Sequence, residues 1–351
     1  MKIFINLFHI LAIMMKISKT DLKILLALYS GNDSVGEIAH VLEMSIPRIS
    51  SASSHLAQSG FLAKDGRGPS MRLKFSDNVF MHNLKQLFSM NFQFEKIFTG
   101  SGLIFLTTLM VPEMSTFGGS ETRIGLSRDN IRRLSGLSFR TIDRVKKQLI
   151  SAAVIFERKG RYRISRAQKE LHEFLDNYVR YHTGNIINKI TTANKVFHYG
   201  VVQKFVAGGE IILASPDELT STNELEISST AITAMSQDRI QFLSNQYFYH
   251  FSIGQRELMK EDYVIDTLLL GTTSAHNIAY SMLYLQYIFK NIDRDYLIEM
   301  STIFNIINII ESILQYLDRF PDVGNDLPKD FPKVDEFREL CKLYGVALHE
   351  Q

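Results

Sequence analysis

One local pattern occurs twice in this chain, around Ser45–Leu62 and again around Ser138–Ile155. In each copy a short helical stretch ends, a serine opens an amphipathic helix, and two hydrophobic residues then lead into a basic hairpin. The positions correspond in order, with Ser45 matching Ser138, Ile49 matching Ile142, Leu56 matching Leu149 and Leu62 matching Ile155. Repetition of a whole helix–turn–helix–hairpin pattern predicts two modules of one fold.

The length of 351 residues is too great for one such module and predicts two or three domains. Hydrophobic residues make up 45% and charged residues 22% of the chain, as in an ordinary globular protein. The single cysteine, Cys341, excludes an intramolecular disulfide and thiolate metal clusters. It fits a reducing compartment, so we expect a cytoplasmic protein.

Residues 1–15 are the ambiguous part of the sequence. Lys2 precedes the apolar run Ile3–Met15, which is too short for a membrane span of about 20 residues. The run also lacks the small-residue cleavage site of a signal peptide. Two interpretations stay open: an extra helix packed on the first domain, or an upstream extension before a true start at Met14 or Met15. We expect no membrane-spanning segment elsewhere.

The first copy is expected to form a domain over residues 16–92. Three serines suited to helix N-caps, Ser18, Ser34 and Ser45, each precede an apolar helical run. Two alternating segments around a Gly-rich turn then predict a hairpin. These segments are Phe61–Lys64 and Met71–Phe75, with the turn at Gly66–Pro69.

The stretch Ser18–Phe75 resembles the winged helix-turn-helix regulators of the MarR and ArsR type in its order of helices and hairpin. This resemblance implies that the third helix enters the major groove of DNA and that the hairpin, the wing, touches the backbone. The residues of the first copy that it places at DNA are Pro47, Arg48, Ser50, Ser51, Ser54, Arg67 and Arg72. Because this surface is rich in serine and poor in charge, a dimerisation or protein-contact module remains an alternative for the first copy.

The second copy, expected over residues 96–166, lies in the most basic part of the chain. Between Glu121 and Lys169, fourteen basic and four acidic residues give a net charge of +10, so the rest of a chain with a total of +2 carries −8. Such asymmetry is typical of a domain that neutralises phosphates. By the same resemblance, the helical DNA contacts are Arg128, Arg132, Phe139, Arg140, Thr141, Arg144 and Lys147. The wing, with its turn at Lys159–Gly160, adds Arg158, Lys159, Arg161 and Arg163.

Residues 167–190 are expected to form a linking helix with an apolar side that includes Leu171, Phe174, Leu175 and Val179. Winged helix regulators often pair through such a flanking helix. The segment is therefore either a dimer arm or an internal spacer.

Residues 194–351 are expected to form a small α+β part that grades into a helical bundle. The predicted strands are Val196–Val206, Glu210–Ala214 after a turn at Gly208–Gly209, and Gln246–Phe251. The predicted helices are Glu261–Leu270, Ser274–Lys290, Asp295–Leu317 and Asp335–Tyr344. This order is similar to the sensing or antitoxin-like domains attached to winged helices in some archaeal and bacterial regulators.

The C-terminal region shows neither a phosphate-binding loop nor a zinc-ligand spacing. We therefore expect no cofactor, no metal and no catalytic site, and a protein that is not an enzyme. Asp262 and Asp266 share one helical face and are expected to be exposed carboxylates; an alternative puts a nucleotide-dependent activity there. The aromatic residues of Tyr247–Phe251 are expected to pack in the core, the alternatives being an effector pocket or base stacking.

The sequence thus predicts an α+β protein, mostly helical, with two tandem winged helix-turn-helix domains and a C-terminal α+β to helical domain. The function it favours is a DNA-binding transcriptional regulator that reads duplex DNA. The alternative is an interaction module whose C-terminal domain binds a protein partner or a small effector. A homodimer is compatible with either interpretation.

Overall fold

The computed structural model describes residues 17–67, 70–90, 97–98, 100–115, 125–194, 200–220, 222, 226–238, 240–254, 256–323 and 328–348. These residues form a mixed α+β fold that is mostly helical, as predicted. The chain divides into two compact units. The N-terminal unit comprises Met1–Met110 and Gly125–Ile186, and the C-terminal unit comprises Val111–Ile124 and Ile187–Gln351. The apolar stretch 1–15 and part of the predicted turn Gly66–Pro69 lie outside the described residues.

The first copy consists of helices, a hairpin and a closing helix. Its elements are α1 (Lys19–Tyr29), α2 (Val35–Val41), α3 (Ile46–Gln58), β1 (Leu62–Asp65), β2 (Arg72–Phe75) and α4 (Val79–Ser89). Ser18 and Ser34 cap α1 and α2 through capping boxes, because each serine oxygen accepts a backbone N–H while an acidic side chain returns to the serine N–H. The hairpin is antiparallel and pairs Leu62 with Phe75.

The second copy repeats this order with a third short strand. Its elements are α5 (Ser101–Leu109), β3 (Leu126–Ser127), α7 (Arg128–Ser135), α8 (Phe139–Ser151), β4 (Ile155–Arg158) and β5 (Arg161–Ile164); the short helix α6 (Val111–Met114) falls in the C-terminal unit. Ile142 and Leu149 of α8 are fully buried, as are the equivalent Ile49 and Leu56 of α3. Both amphipathic helices therefore turn these equivalent positions to the core, while Ala52, expected on the same face of α3, is half-buried.

The two copies correspond without an insertion over Ser34–Asp65 and Ser127–Arg158. Equivalent residues such as Ser45 and Ser138 are 93 positions apart, and α3 and α8 begin and end at equivalent residues. The backbone turns also coincide, since Glu43 and Gly136 both have positive φ angles of 51° and 65°. Each copy pairs the residue before its second helix with the start of the returning strand, and these pairs are Ser34 with Arg72 and Ser127 with Arg161. The repeat seen in the sequence is therefore a repeat of structure.

Helix α9 (Lys169–Asn194) is longer than the predicted linking helix, and its first part belongs to the N-terminal unit. Phe174 and Tyr178 lie on its buried side and contact the ring of Phe80 on α4, at centroid distances of 6.4 and 5.6 Å. Tyr178 also contacts Phe61, which follows α3. The apolar side that suggested a dimer arm or a spacer thus packs against the first copy of the same chain.

The C-terminal unit combines a four-stranded antiparallel sheet with helices. The strands are β6 (Val202–Ala207), β7 (Glu210–Ser215), β8 (Ile227–Ser229) and β9 (Tyr247–Ser252), in the order β6-β7-β9-β8. The helices are α10 (Ala231–Gln237), α11 (Lys260–Leu269), α12 (Ala275–Tyr287), α13 (Arg294–Ile303), α14 (Ile307–Arg319) and α15 (Val334–Leu343), with a 3-10 turn at Phe289–Asn291. Helix α10 packs on β9, and α11 contacts α10, α12 and α13.

Two predictions for this unit need correction. The continuous helix expected over Asp295–Leu317 is wrong, because α13 ends at Ile303 and α14 begins at Ile307. Asn305 takes a left-handed φ of 58°, and the Ile306 N–H donates to the Ser301 carbonyl at 2.8 Å, which closes a helix C-terminus. Asp262 and Asp266 are not exposed but fully buried.

Candidate nucleic-acid interface

Helix α8 presents an outer face that carries cations. Its core side is fixed by the buried Ile142, Val145 and Leu149. Arg140, Arg144 and Lys147 follow one another at spacings of four and three residues, so they form one stripe on the opposite side. All three are exposed, and within the described part of the chain no hydrogen bond or ion pair engages them. We call these three residues the outer stripe.

The start of α8 uses another predicted contact residue for its own cap. The Ser138 side chain accepts from the Thr141 N–H at 3.3 Å, and the two hydroxyl oxygens are 3.0 Å apart. Thr141 is therefore partly occupied by the helix N-terminus. Thr141 lies next to Arg140 in the first turn of α8. In helix-turn-helix proteins, this N-terminal end of the recognition helix is the part that contacts bases.

Arg128 is held within the protein rather than projecting from it. Its Nε and Nη2 donate to the two carboxylate oxygens of Asp143 at 3.1 and 2.5 Å. Its guanidinium lies 4.2 Å from the ring centre of Phe139, and that of the exposed Arg132 lies 4.7 Å from the same ring. Phe139 thus positions two arginines at the N-terminal end of α8.

Asp143 is the acidic residue of α8, and its charge is neutralised by its neighbours. The hydrogen bond from Arg128 lowers the pKa of the Asp143 carboxyl group, and Lys146 adds an ion pair at 3.2 Å. Because both partners are cations, the carboxylate does not leave a negative spot on the helix. The negative charge of Asp143 is therefore compensated within the protein.

The wing of the second copy has one buried face and one basic face. The register pairs Phe156 with Arg163 and Arg158 with Arg161, which puts these four side chains on the same side of the hairpin. Arg163 lies over the Phe156 ring at 5.0 Å, and the Arg161 Nη1 donates to the Gly125 carbonyl at 3.1 Å. The opposite side carries Tyr162, which is buried.

The tip of the wing is a two-residue turn. Lys159 and Gly160 have φ angles of 52° and 70°, the left-handed pair that a tight hairpin of this twist requires. Arg158 and Lys159 are exposed there. The tip therefore carries two exposed cations, Arg158 and Lys159. Arg161 and Arg163, in contrast, contact other residues of the protein.

A contact that the sequence did not suggest links α8 to the wing. The Lys146 Nζ donates to the Tyr162 hydroxyl at 3.1 Å and lies 5.3 Å from the ring centre. This hydrogen bond raises the pKa of Lys146. The sequence indicates Lys146 only as one of the basic residues of this region. Its pairing with Tyr162 cannot be predicted from local spacing, because the position of Tyr162 depends on the register of the hairpin.

The first copy lacks basic residues at the positions equivalent to the outer stripe and to Arg158. Pro47, Ser51 and Ser54 stand where Arg140, Arg144 and Lys147 stand in the second copy, and Asp65 stands at the position of Arg158. Of the predicted contact residues, Pro47, Arg48, Ser51, Arg67 and Arg72 are exposed, while Ser50 and Ser54 are half-buried.

Several cations of the first copy also have internal partners. The Lys64 Nζ donates to the Ser54 hydroxyl at 2.5 Å, and the Arg72 Nη1 pairs with Asp33 at 3.2 Å. The Arg48 Nη2 donates to the Thr20 hydroxyl at 3.2 Å. The first copy therefore keeps the framework of the second but not its outer stripe.

The C-terminal unit contains a buried network of charges that no sequence motif indicates. His250 on β9 lies between two carboxylates, with its Nδ1 2.7 Å from Asp266 and its Nε2 2.8 Å from Glu210. All three side chains are at most 3% exposed. Burial opposes protonation, but the charge and hydrogen bond of Asp266, with those of Glu210, raise the pKa of His250 to about 9. The imidazole is therefore a cation at neutral pH.

Arg256 extends this network to a third carboxylate. Its Nε donates to Glu210 and its Nη1 pairs with Asp262, each at 2.8 Å. Asp262 also accepts from the Tyr296 hydroxyl of α13. Burial would raise the pKa of Glu210, but the Arg256 charge, aided by His250, lowers it to about 2. The network joins β7, β9, α11 and α13, and both ring nitrogens of His250 are used within it.

Asp262 and Asp266 were noticed in the sequence through their shared helical face, but His250, Glu210 and Arg256 were not. The aromatic strand Tyr247–Phe251 could have pointed to His250. A histidine within an otherwise aromatic buried strand needs polar partners. Among the described residues, no group of three or more His, Cys, Asp or Glu side chains is arranged to hold a metal ion.

A family model described as HVO_2833_C, C-terminal matches residues 226–346, about a third of the chain. This stretch contains His250, Arg256, Asp262 and Asp266, whereas Glu210 precedes it. We found no match to a curated protein or to a solved structure. Each helix in the described part of the chain is too short or too polar to cross a lipid bilayer.

Proposed function

We propose that both copies are winged helix-turn-helix domains and that the protein is a DNA-binding transcriptional regulator. The observation that carries this proposal is the outer stripe of α8, three exposed cations on the face opposite the core. An α-helix fits the major groove, where arginine can fork onto guanine or phosphate oxygens. The wing tip with Arg158 and Lys159 supplies backbone or minor-groove contacts. This role needs no catalytic step and no cofactor.

The second copy is the main source of affinity in this proposal. Phosphate neutralisation releases counterions, so affinity falls with salt at a slope set by the number of phosphates neutralised. The second copy has free cations on both elements that would face the duplex. In the first copy, Lys64 and Arg72 already pair with side chains of the same chain.

The proposal is tested by removing the outer stripe. In the variant Arg140→Gln/Arg144→Gln/Lys147→Gln, we expect weaker binding to every duplex and a log–log salt slope lower by about 0.9 for each phosphate that is no longer neutralised. Fluorescence anisotropy with a labelled duplex over a salt series measures both. Selection of bound sequences from random duplexes then shows whether a specific site exists and how its half-sites are spaced.

A matched control removes the same charges elsewhere. Arg180, Arg338 and Lys169 are two arginines and one lysine that pair with acidic neighbours on their own helices. Changing all three to Gln should leave the salt slope nearly unaltered. An outer-stripe variant that keeps the wild-type slope, or a control whose slope falls as far, contradicts the assignment of α8 to DNA.

The first copy supports a second candidate role, as an interaction module. The observation favouring it is the replacement of the outer stripe by Pro47, Ser51 and Ser54. In this role the first copy contacts a partner other than the phosphate backbone. Binding of random duplexes with wild-type affinity by a protein that lacks both the outer stripe and the wing-tip cations Arg158 and Lys159 would contradict it, because the first copy would then hold DNA by itself.

A further inference from the structure

Lys146 lies on α8 next to Lys147 of the outer stripe but does not share its exposure. The Lys146 side chain is only 21% exposed, whereas Lys147 is exposed. The Lys146 Nζ lies 3.1 Å from the Tyr162 hydroxyl and 3.2 Å from the Asp143 carboxylate. Because these two groups engage the ammonium inside the domain, Lys146 is poorly placed to bind a phosphate. We call the contact between Lys146 and Tyr162 the helix–wing tie.

The wing end of the tie is fixed by the sheet. Tyr162 lies on β5, the central strand of the order β3-β5-β4, and pairs with Leu126 on one side and Glu157 on the other. Its side chain is buried. It directly follows Arg161, which pairs with Arg158 at the tip of the hairpin. The tie therefore connects α8 to the part of the wing that carries the tip cations.

The helix end of the tie continues into the preceding helix. Asp143, which pairs with Lys146, also accepts two hydrogen bonds from Arg128 at the start of α7. The guanidinium of Arg128 lies over the ring of Phe139 in α8. These contacts run from the wing through α8 to α7, and Lys146 is the member that joins the hairpin to the two helices.

The first copy joins its helix and hairpin with different residues. The positions equivalent to the two members of the tie carry Ser53 and Leu73. Lys64 of β1 instead reaches back to α3, where its Nζ donates to the Ser54 hydroxyl at 2.5 Å and to the Ser50 carbonyl at 3.4 Å. A lysine thus connects helix and hairpin in both copies, from non-equivalent positions. The connection is therefore not the by-product of one repeated residue.

We propose that Lys146 is a positioning residue, which holds the wing through Tyr162 in a fixed orientation to α8. In this orientation Arg158 and Lys159 reach the backbone of the same duplex whose groove α8 enters. The inference rests on the proposed function and separates the roles of two adjacent lysines, since Lys147 binds phosphate directly and Lys146 acts through the wing. A contact held in place before binding loses less conformational freedom when the complex forms.

The test compares Lys146→Met with Tyr162→Phe in the full chain, by fluorescence anisotropy with a labelled random-sequence duplex over a salt series. Each variant should lower the log–log salt slope by about 1–2, because the two wing-tip cations account for about 0.9 each. The double variant should lower it no further than either single variant, since both remove the same contact. Tyr162→Phe removes only a hydroxyl group, and circular dichroism verifies that each variant is folded.

Three further variants separate positioning from direct contact. Arg158→Gln/Lys159→Gln should lower the slope by about 1.8 in the wild type and by much less in the Tyr162→Phe background. Lys147→Met should lower it by about 0.9 in either background. Tyr29→Phe removes the hydroxyl of an exposed tyrosine and should leave the slope unchanged.

A lower slope in Lys146→Met together with a wild-type slope in Tyr162→Phe would make Lys146 a direct phosphate contact and overturn the proposal. Wild-type slopes in both variants would also overturn it, while the proposed function would stand. A wild-type protein that binds no duplex would refute the proposed function, and the role of Lys146 in DNA binding with it.

Discussion

His250 lies between two carboxylates in the interior of the C-terminal unit, and this makes the stability of that unit depend on pH. Its pKa in the folded protein, about 9, exceeds the ordinary value of 6.5, so its contribution is complete below pH 6.5 and is lost as the pH rises through 9. Glu210 acts in the opposite direction. Its pKa falls from 4.5 to about 2, so its contribution is present above pH 4.5 and is lost as the pH falls through 2.

We predict that His250→Gln lowers the free energy of unfolding by about 3 kcal/mol at pH 6, because the variant removes the cation paired with the buried Asp266 and one of the two cations paired with Glu210. The difference from the wild type should shrink as the pH rises to about 9.5. Urea unfolding of the full chain at several pH values measures both effects. His82→Gln is the control, since His82 is exposed and pairs with an exposed Asp77. A destabilisation that stays constant with pH would rule out the charged form of His250 as its cause.

Residues in this network show where sequence reasoning stops. The spacing of Asp262 and Asp266 correctly placed both on one helical face, but the side of the helix that is buried depends on which strands pack against it. Those strands carry Glu210 and His250, which are 40 positions apart in the chain. Burial of the carboxylates follows from long-range pairing of β7 with β9, and no local pattern encodes that pairing.

Helix α3 and strand β1 are joined by a turn that also meets α9. Gly60, in this turn, has a φ of 75°, and a Cβ there would overlap the ring of Tyr181 on α9. Gly31, which follows α1, has a φ of 98° and open space around its missing side chain. Both positions therefore favour glycine because of their positive φ angles. Only at Gly60 is there also no room for a side chain.

We predict that Gly60→Ala destabilises the protein more than Gly31→Ala. Both variants incur the left-handed penalty of about 1 kcal/mol, but only Gly60→Ala adds an overpacking cost of about 1–3 kcal/mol. Denaturant unfolding of the two variants measures the difference. Equal destabilisation would mean that Tyr181 moves aside freely and that the turn does not fix the packing of α9.

At the level of elements, the sequence predicted α3 and α8 well because both are amphipathic, begin after a serine and end before a hydrophobic pair. It failed at the break between α13 and α14, where apolar residues continue on both sides of Asn305. Asn305 in the left-handed conformation ends α13. Asparagine is a recognised residue at helix ends, but the apolar pattern on both sides of Asn305 outweighed that signal. The short elements β8 and α10 were missed because Ser228, Ser229 and Thr230 look like loop.

The whole molecule consists of two compact units, each with its own core. We predict two transitions in calorimetric unfolding of the full chain. His250→Gln should lower one midpoint by roughly 5–10 °C, as expected for a destabilisation of about 3 kcal/mol in a unit of this size, and Gly60→Ala should lower the other. A single transition moved alike by both variants would show that the chain unfolds as one cooperative body.

The charge asymmetry of the sequence is a property of the whole molecule. In the structure, part of the positive charge lies in the outer stripe of α8. The sequence located the positive charge but could not separate cations that hold the fold, such as Arg128 and Lys146, from those left exposed, such as Arg140 and Arg144. That distinction depends on Asp143 and Tyr162 being brought within hydrogen-bond distance. Net charge therefore predicts only the class of partner that a protein could bind. Packing determines which charged residues remain exposed and available to such a partner.

The uninterrupted correspondence between the two copies also bears on how such a chain can change in length. A genetic exchange between equivalent positions removes or adds 93 residues and joins part of a helix of one copy, in register, to the remaining part of the equivalent helix of the other copy. The junction then falls inside an intact pattern of caps and core positions, so the product keeps complete modules. An array built in this way can gain or lose a whole module in one event, while each module accumulates its own surface.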